Sequence, residues 1–244
     1  MSKKDVSITT PDGEARAYAF TPDQGAGPWP GVMVYMDALA IRPAMFEMAQ
    51  RVADHGYFVL LPDMFWRRPP YEPFDIPVML SDRSKLMEFM GSTNPQKAMS
   101  DTGAFLGWLS DQPQVKGEKV GTTGYCMGGG MSLRAAAAYP DRVAAAAAFH
   151  AGNVVTDAPD SVHKVAPTTK AKVPVAGADE DKGFTSEARD ILAKAYKDAG
   201  VDADVSIWPG KLHGYAPRDM PVYDKEASER HFKEMFALFD GVLK

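Results

Sequence analysis

Gly124-Tyr125-Cys126-Met127-Gly128, continued by Gly129 and Gly130, is the stretch that decides the reading of this chain. It stands between a buried strand expected at Lys119–Thr123 and an alanine-rich helix expected from about Gly128 to Ala138. A G-x-C-x-G turn between strand and helix is a nucleophile elbow, in which the chain reverses so sharply that the central side chain is lifted above the sheet. The flanking glycines serve that turn, because a Cβ beside it would have little room. A thiol placed there stands at a helix N-terminus, whose partial positive charge favours a thiolate. The amide of Met127 would point toward an oxyanion formed at that spot. The competing reading is a buried, inert cysteine in a Gly-rich turn, since free cysteines are commonly buried.

Outward from the elbow, strands and helices alternate. Toward the N-terminus, Gly31–Met36 and Tyr57–Leu61 read as buried strands flanking a helix at Pro43–His55, with Pro near its first turn. That β-α-β unit calls for a parallel sheet. Ahead of it, the β-like runs Val6–Thr9 and Ala15–Phe20 are separated by Pro11-Asp12-Gly13, the signature of a hairpin. Phe65–Pro77, rich in proline and aromatics, reads as a loop over the sheet edge, and a helix follows around Pro95–Asp111. Toward the C-terminus come strands at Val143–His150, Val173–Gly177 and Ala203–Trp208. Helices are expected at Thr185–Ala199 and through Phe232, Met235, Phe236 and Phe239. Ala144–Ala148 is a strand only by its place in the alternation, because alanine is a poor strand former. Asn153–Lys172 shows no period and reads as an irregular loop. The expectation is a single α/β domain over residues 1–244: a mostly parallel sheet flanked by helices, opened by a hairpin.

Composition narrows the function classes. The 244 residues carry 27 basic and 32 acidic side chains, a formal charge of −5, with no Lys/Arg block of the kind that binds nucleic acid. No apolar run approaches the ~20 residues needed to span a bilayer. The start, Met1-Ser2-Lys3-Lys4-Asp5, leads into polar sequence, not the apolar core of a signal peptide. A single cysteine forms no internal disulfide, so a reducing, cytoplasmic setting is expected. No His, Cys and Asp positions show metal-ligand spacing, and no cofactor is implied.

A nucleophile needs a base, and the base needs something to orient it. Of the five histidines, His213 lies in Gly210–Tyr215, between the last expected strand and the last helix. Asp181 lies in Gly177–Lys182, directly after the preceding strand. The chain order nucleophile, acid, histidine is the one used by α/β-hydrolases. Asp179 and Glu180 compete with Asp181, and solvated loop charges are the plain reading of both. His55 is read as a helix cap and His163 and His231 as surface residues; His150 reads either as pocket lining or as a core-edge histidine. Tyr125, inside the elbow, is a candidate substrate contact. A rival reading takes Thr123–Gly130 as T-G-x-x-x-G-x-G, a phosphate-binding turn of an NAD(P)-dependent dehydrogenase. Its position in mid-chain and the lack of a Tyr-x-x-x-Lys pair speak against that. A third reading is a non-catalytic α/β binding module.

With these residues assembled, the sequence resembles the dienelactone hydrolase family of α/β-hydrolases over nearly its whole length. The likeness is carried by Val34–Asp37, His55–Tyr57, Leu61–Asp63, Gly124–Gly129, the Asp181 loop and His213–Tyr215. It implies Cys126 as nucleophile, His213 as base and Asp181 as its orienting acid. It also implies Met127 and Ala38 as the two oxyanion-binding amides, and Asp37, where the eponymous enzymes carry Glu, as a carboxylate that helps draw the proton from the thiol. Arg83 and Arg218 fall near positions where the family holds an anionic substrate group. The expected activity is hydrolysis of a carboxylic ester or lactone by way of a thioester. The expected partner is that small-molecule substrate, and the chain is expected to be a monomer or weak homodimer.

Overall fold

A computed structural model of the chain describes residues 2–244; Met1, at the head of the polar start, lies outside the described residues. The hairpin is present as β1 (Ser2–Thr10) and β2 (Gly13–Thr21), paired antiparallel from Ser2–Thr21 to Thr10–Gly13. It is stitched onto a parallel core of β3 (Trp29–Tyr35), β4 (Phe58–Pro62), β5 (Val115–Tyr125), β6 (Val143–Phe149), β7 (Val173–Ala178) and β8 (Ala203–Trp208). The eight strands lie in the order β1-β2-β4-β3-β5-β6-β7-β8. Only the β1–β2 and β2–β4 pairings are antiparallel. After β3 the chain steps to one side for β4 and then returns to the other side for β5. Strand order therefore reverses between β3 and β5, and a crevice opens at the carboxyl ends of strands at such a point.

Among the described residues eight helices accompany the sheet: α1 (Pro43–Asp54), α2 (Ile76–Ser81), α3 (Ser84–Met90), α4 (Pro95–Ser110), α5 (Met127–Ala138), α6 (Val162–Val165), α7 (Ser186–Asp198) and α8 (Lys225–Leu243). Their starts follow local chemistry. Asn94, Thr185 and Asp224 accept the amides of Lys97, Ala188 and Ala227 at 2.8, 3.2 and 2.9 Å, satisfying donors that a helix N-terminus leaves free. On β5, Thr122 bonds Ser132 of α5 at 2.9 Å, whereas the adjacent Gly121 abuts Phe239 of α8. Successive strand residues point to opposite faces, so α5 and α8 cover the two sides of the central sheet. The alanine run of β6 lies under both helices, and Ala145–Ala148 are fully buried. Short side chains let those helices approach closely, and this tertiary demand overrides alanine's weak strand preference.

The stretch that follows the expected loop Phe65–Pro77, and the expected loop Asn153–Lys172, both contain helices that the sequence did not announce. Within 76–90 the chain forms α2 and α3, which bury Ile76, Met79, Leu86 and Phe89. Within Asn153–Lys172 it forms α6 and a 3₁₀ turn at Ala166–Thr168. No helix among the described residues is long and apolar enough to cross a membrane.

Candidate active site

The elbow is built as its glycines require. Cys126 closes β5 with φ +53° and ψ −117°, a backbone region that residues with a side chain rarely occupy. A Cβ on Gly124 would lie 2.1 Å from the carbonyl oxygen of Gly128 across the turn. A Cβ on Gly128 would lie 2.4 Å from the carbonyl oxygens of both Tyr35 and Met36. The first turn of α5 therefore rides directly on the chain leaving β3. Because Tyr35 pairs with Gly124 in register, the residues just beyond, Asp37 and Ala38 on one strand and Cys126 and Met127 on the other, are neighbours at the crevice. Gly124 and Gly128 of the Thr123–Gly130 turn are closed by backbone, Gly129 is closed by Ala151, and Gly130 faces the Arg134 side chain, so the close approaches serve the elbow's own packing.

Asp181 and His213 arrive from β7 and β8. His213 Nδ1 and Asp181 Oδ2 are 2.6 Å apart, and Asp181 Oδ1 accepts the amide of Gly183 at 2.7 Å. The Cys126 thiol is near enough to the imidazole to favour its charged form. Burial opposes a charge on His213, but the hydrogen bond to Asp181 and the neighbouring Cys126 thiol outweigh it and push the imidazole up to about 10. Burial likewise works to raise Asp181, and the bond to His213 overcomes it, so the carboxyl is held below its usual range. The imidazole and carboxylate are thus joined directly, with the elbow beside them at the crevice.

Asp179 has a mechanical part. Its Oδ2 accepts the amide of Gly210 at 2.8 Å and its own amide donates to Lys211 at 2.7 Å, tying the acid loop to the histidine loop. Glu180 is exposed. His150 lies 5.2 Å, ring to ring, from His213, at φ +38° and 1% exposure. Burial drives its pKa well below the ordinary value, so it stays neutral beside the imidazolium. Among the described residues, neither nitrogen of the His150 ring has a hydrogen-bond partner.

Other sequence expectations are relocated. Tyr125, a candidate substrate contact, is fully buried, and its hydroxyl lies 3.1 Å from Nε2 of His231. The turn that lifts Cys126 above the sheet sends Tyr125 to the α8 side, away from the crevice. His231, read as a surface residue, is fully buried there, and burial pulls its pKa down to about 3. Arg218 is paired with Glu47 of α1 on the surface, and Arg83 is exposed at the N-terminal cap of α3. His55 caps α1 as read, and also stacks on Phe236 at 3.8 Å and bonds Asp240 at 2.9 Å. Asp37 does not meet the thiol in a hydrogen bond; both its oxygens are held by Arg42, at 2.7 and 2.8 Å. Sequence reasoning overlooked Arg42, although a lone charge closing the apolar run Ala38–Ile41 was a visible signal. No group of three or more His, Cys, Asp or Glu among the described residues is arranged to hold a metal ion.

The profile of the dienelactone hydrolase family matches residues 15–243 of the chain. A carboxymethylenebutenolidase homolog of Xenopus tropicalis is 27% identical over 192 residues, 77% of this chain and 72% of that protein. Among solved structures, a dienelactone hydrolase-like promiscuous phosphotriesterase from metagenomic libraries superposes with a TM-score of 0.79 at 24% identity, covering 100% of both chains. The dienelactone hydrolase of Anabaena variabilis does so with a TM-score of 0.67 at 17% identity, again over 100% of both. At these identities the two structures establish a shared fold.

Proposed function

The chain belongs to the dienelactone hydrolase family, and from that premise we propose that it hydrolyses a carboxylic ester or lactone by covalent catalysis through Cys126, His213 and Asp181. The hydrolase class follows from the family; the assignment of roles is our own reading. The observation that carries it is the 2.6 Å contact between His213 Nδ1 and Asp181 Oδ2, formed beside the strained Cys126 elbow at the carboxyl ends of three strands.

In this reading the Cys126 thiolate attacks the carbonyl carbon, and the carbonyl electrons move onto oxygen. The amides of Met127 and Ala38 receive that oxyanion, each worth roughly 2.7–4 kcal/mol of barrier. Collapse of the intermediate breaks the carbon–oxygen bond, and the His213 imidazolium gives its proton to the departing alkoxide. The neutral imidazole then takes a proton from water, whose oxygen attacks the thioester. Expulsion of the thiolate releases the acid and restores the thiolate–imidazolium pair. Asp181 keeps Nδ1 protonated, so that Nε2 is the nitrogen that exchanges the proton.

Turnover of p-nitrophenyl acetate and simple lactones, with intact-mass detection of an acyl adduct, tests the assignment. Cys126→Ala should remove both turnover and adduct with the circular dichroism spectrum unchanged. Undiminished hydrolysis in that variant would sink the assignment, and a wild type with neither turnover nor adduct would favour a binding module.

A further inference from the structure

We propose that Arg42 is a positioning residue that staples the loop bearing the Ala38 amide to the loop bearing His213, and that Asp37 serves this staple and does not draw the thiol proton. The inference rests on the reading of Cys126 as nucleophile and Ala38 as oxyanion donor.

Arg42 is 2% exposed, and every guanidinium nitrogen is engaged. Nη1 and Nη2 grip the two oxygens of Asp37 at 2.7 and 2.8 Å, the fork geometry that arginine offers and lysine does not. Nη1 also donates to the carbonyl of Ala40 at 3.2 Å. From the other side Nε and Nη2 reach Asp219 at 2.7 and 3.3 Å. Asp37 Oδ1 in turn accepts the amide of Leu39 at 2.9 Å. Ala38 is thus bracketed between two residues held by one buried ion pair, and Ala40 is locked at φ +67°. Asp219 belongs to the segment after His213, itself cross-tied by the Asp224 amide bonding the Tyr215 carbonyl at 3.0 Å. Arg42 is therefore the joint between the two loops that meet the substrate carbonyl from opposite sides.

The same geometry argues against Asp37 as proton acceptor. To leave Arg42 for the thiol, Asp37 would abandon a buried guanidinium, a strongly unfavourable exchange. His213 is tied to Asp181 through Nδ1 alone, which leaves its Nε2 free of any such obligation.

Two variants loosen the staple to different degrees: Asp219→Asn, which touches only the half-exposed end, and Arg42→Lys, which keeps the charge without the fork. A third, Asp37→Asn, addresses the proton. Activity is counted per thiol titratable with iodoacetamide, so that partial unfolding does not enter. With p-nitrophenyl acetate, Asp219→Asn and Arg42→Lys should lower kcat about 10- to 100-fold with KM within about threefold, because a misplaced amide weakens only the transition state. Hydrogen exchange of residues 37–42 should quicken at least about tenfold in both. The pH profile of Cys126 alkylation should superpose on wild type in all three. An alkylation profile displaced to higher pH in Asp37→Asn would make Asp37 the proton acceptor and overturn the proposal. So would unchanged exchange in 37–42. If wild type hydrolyses no ester, the catalytic reading fails on its own, while exchange and alkylation still decide the staple.

Discussion

Asp181 shows how much one carboxylate can govern. It fixes the tautomer of His213 through the 2.6 Å contact and sustains the charge on the ring. Asp181→Asn keeps the shape but offers an amide that can present its N–H to Nδ1 and so invert the tautomer. We expect kcat to drop roughly 10³–10⁴-fold, as for the equivalent change in a serine triad. The pH dependence of stability has a definite sign. His213 is raised above its ordinary value, so its contribution is complete below about 6.5 and fades as pH climbs through about 10. Asp181 is lowered, so its share is present above its ordinary carboxyl range and fades as acid protonates it. The Tm difference between wild type and Asp181→Asn should therefore be greatest between the ordinary carboxyl range and about pH 6.5, shrink as pH rises above that, and be largely gone above pH ~10.

At the scale of elements, the junction of β5, α5 and β3 is the most tightly determined part of the molecule. Gly124→Ala would drive a Cβ into the Gly128 carbonyl, 2.1 Å away, where backbone and not a yielding side chain must move. The expected cost is about 1–3 kcal/mol or more in urea unfolding, with loss of the titratable thiol's reactivity. This junction was legible in sequence because its constraints are local: glycines at fixed offsets between a strand and a helix. Asp181 and His213 were legible for a similar reason, each sitting on a short loop directly after a strand. The helices α2 and α3 were not. Six and seven residues are too few to show a helical period, and Phe89 is held by edge-on contacts with Phe65, Tyr71 and Phe74 at 5.7, 5.1 and 4.9 Å. Those partners come from the irregular loop just ahead of the two helices, whose path no periodic pattern encodes. His231 is an intermediate case: its spacing to Met235 and Phe239 puts it on the buried face of α8, yet a polar side chain there needs a partner, and Tyr125 is 106 positions away.

At the scale of the whole molecule, the buried histidines set the acid limit. His231, fully enclosed and lowered to about 3 by burial, takes up a proton near 6.5 only when the chain unfolds. Stability should accordingly fall as pH drops from about 6.5 toward 3, by on the order of a few kcal/mol from this residue. His231→Gln can still meet the Tyr125 hydroxyl but cannot titrate. Urea unfolding at neutral pH and near pH 4.5 should show a smaller loss for that variant than for wild type.

The sheet itself is not uniform. β6 and β7 share two residue pairs in register and an isolated bridge at Ala145–Lys172, with Pro174 between them unable to donate a hydrogen bond, whereas β7 and β8 share six pairs. The nucleophile stands on one side of this thin seam, and the histidine and its carboxylate stand together on the other. Heat would open the molecule there first, carrying off base and acid as a unit and leaving the thiol seated on an intact central sheet. On heating, activity should therefore be lost at a lower temperature than the circular dichroism signal and return on cooling from that interval, whereas coincident loss of the two would show that the seam is no weaker than the rest.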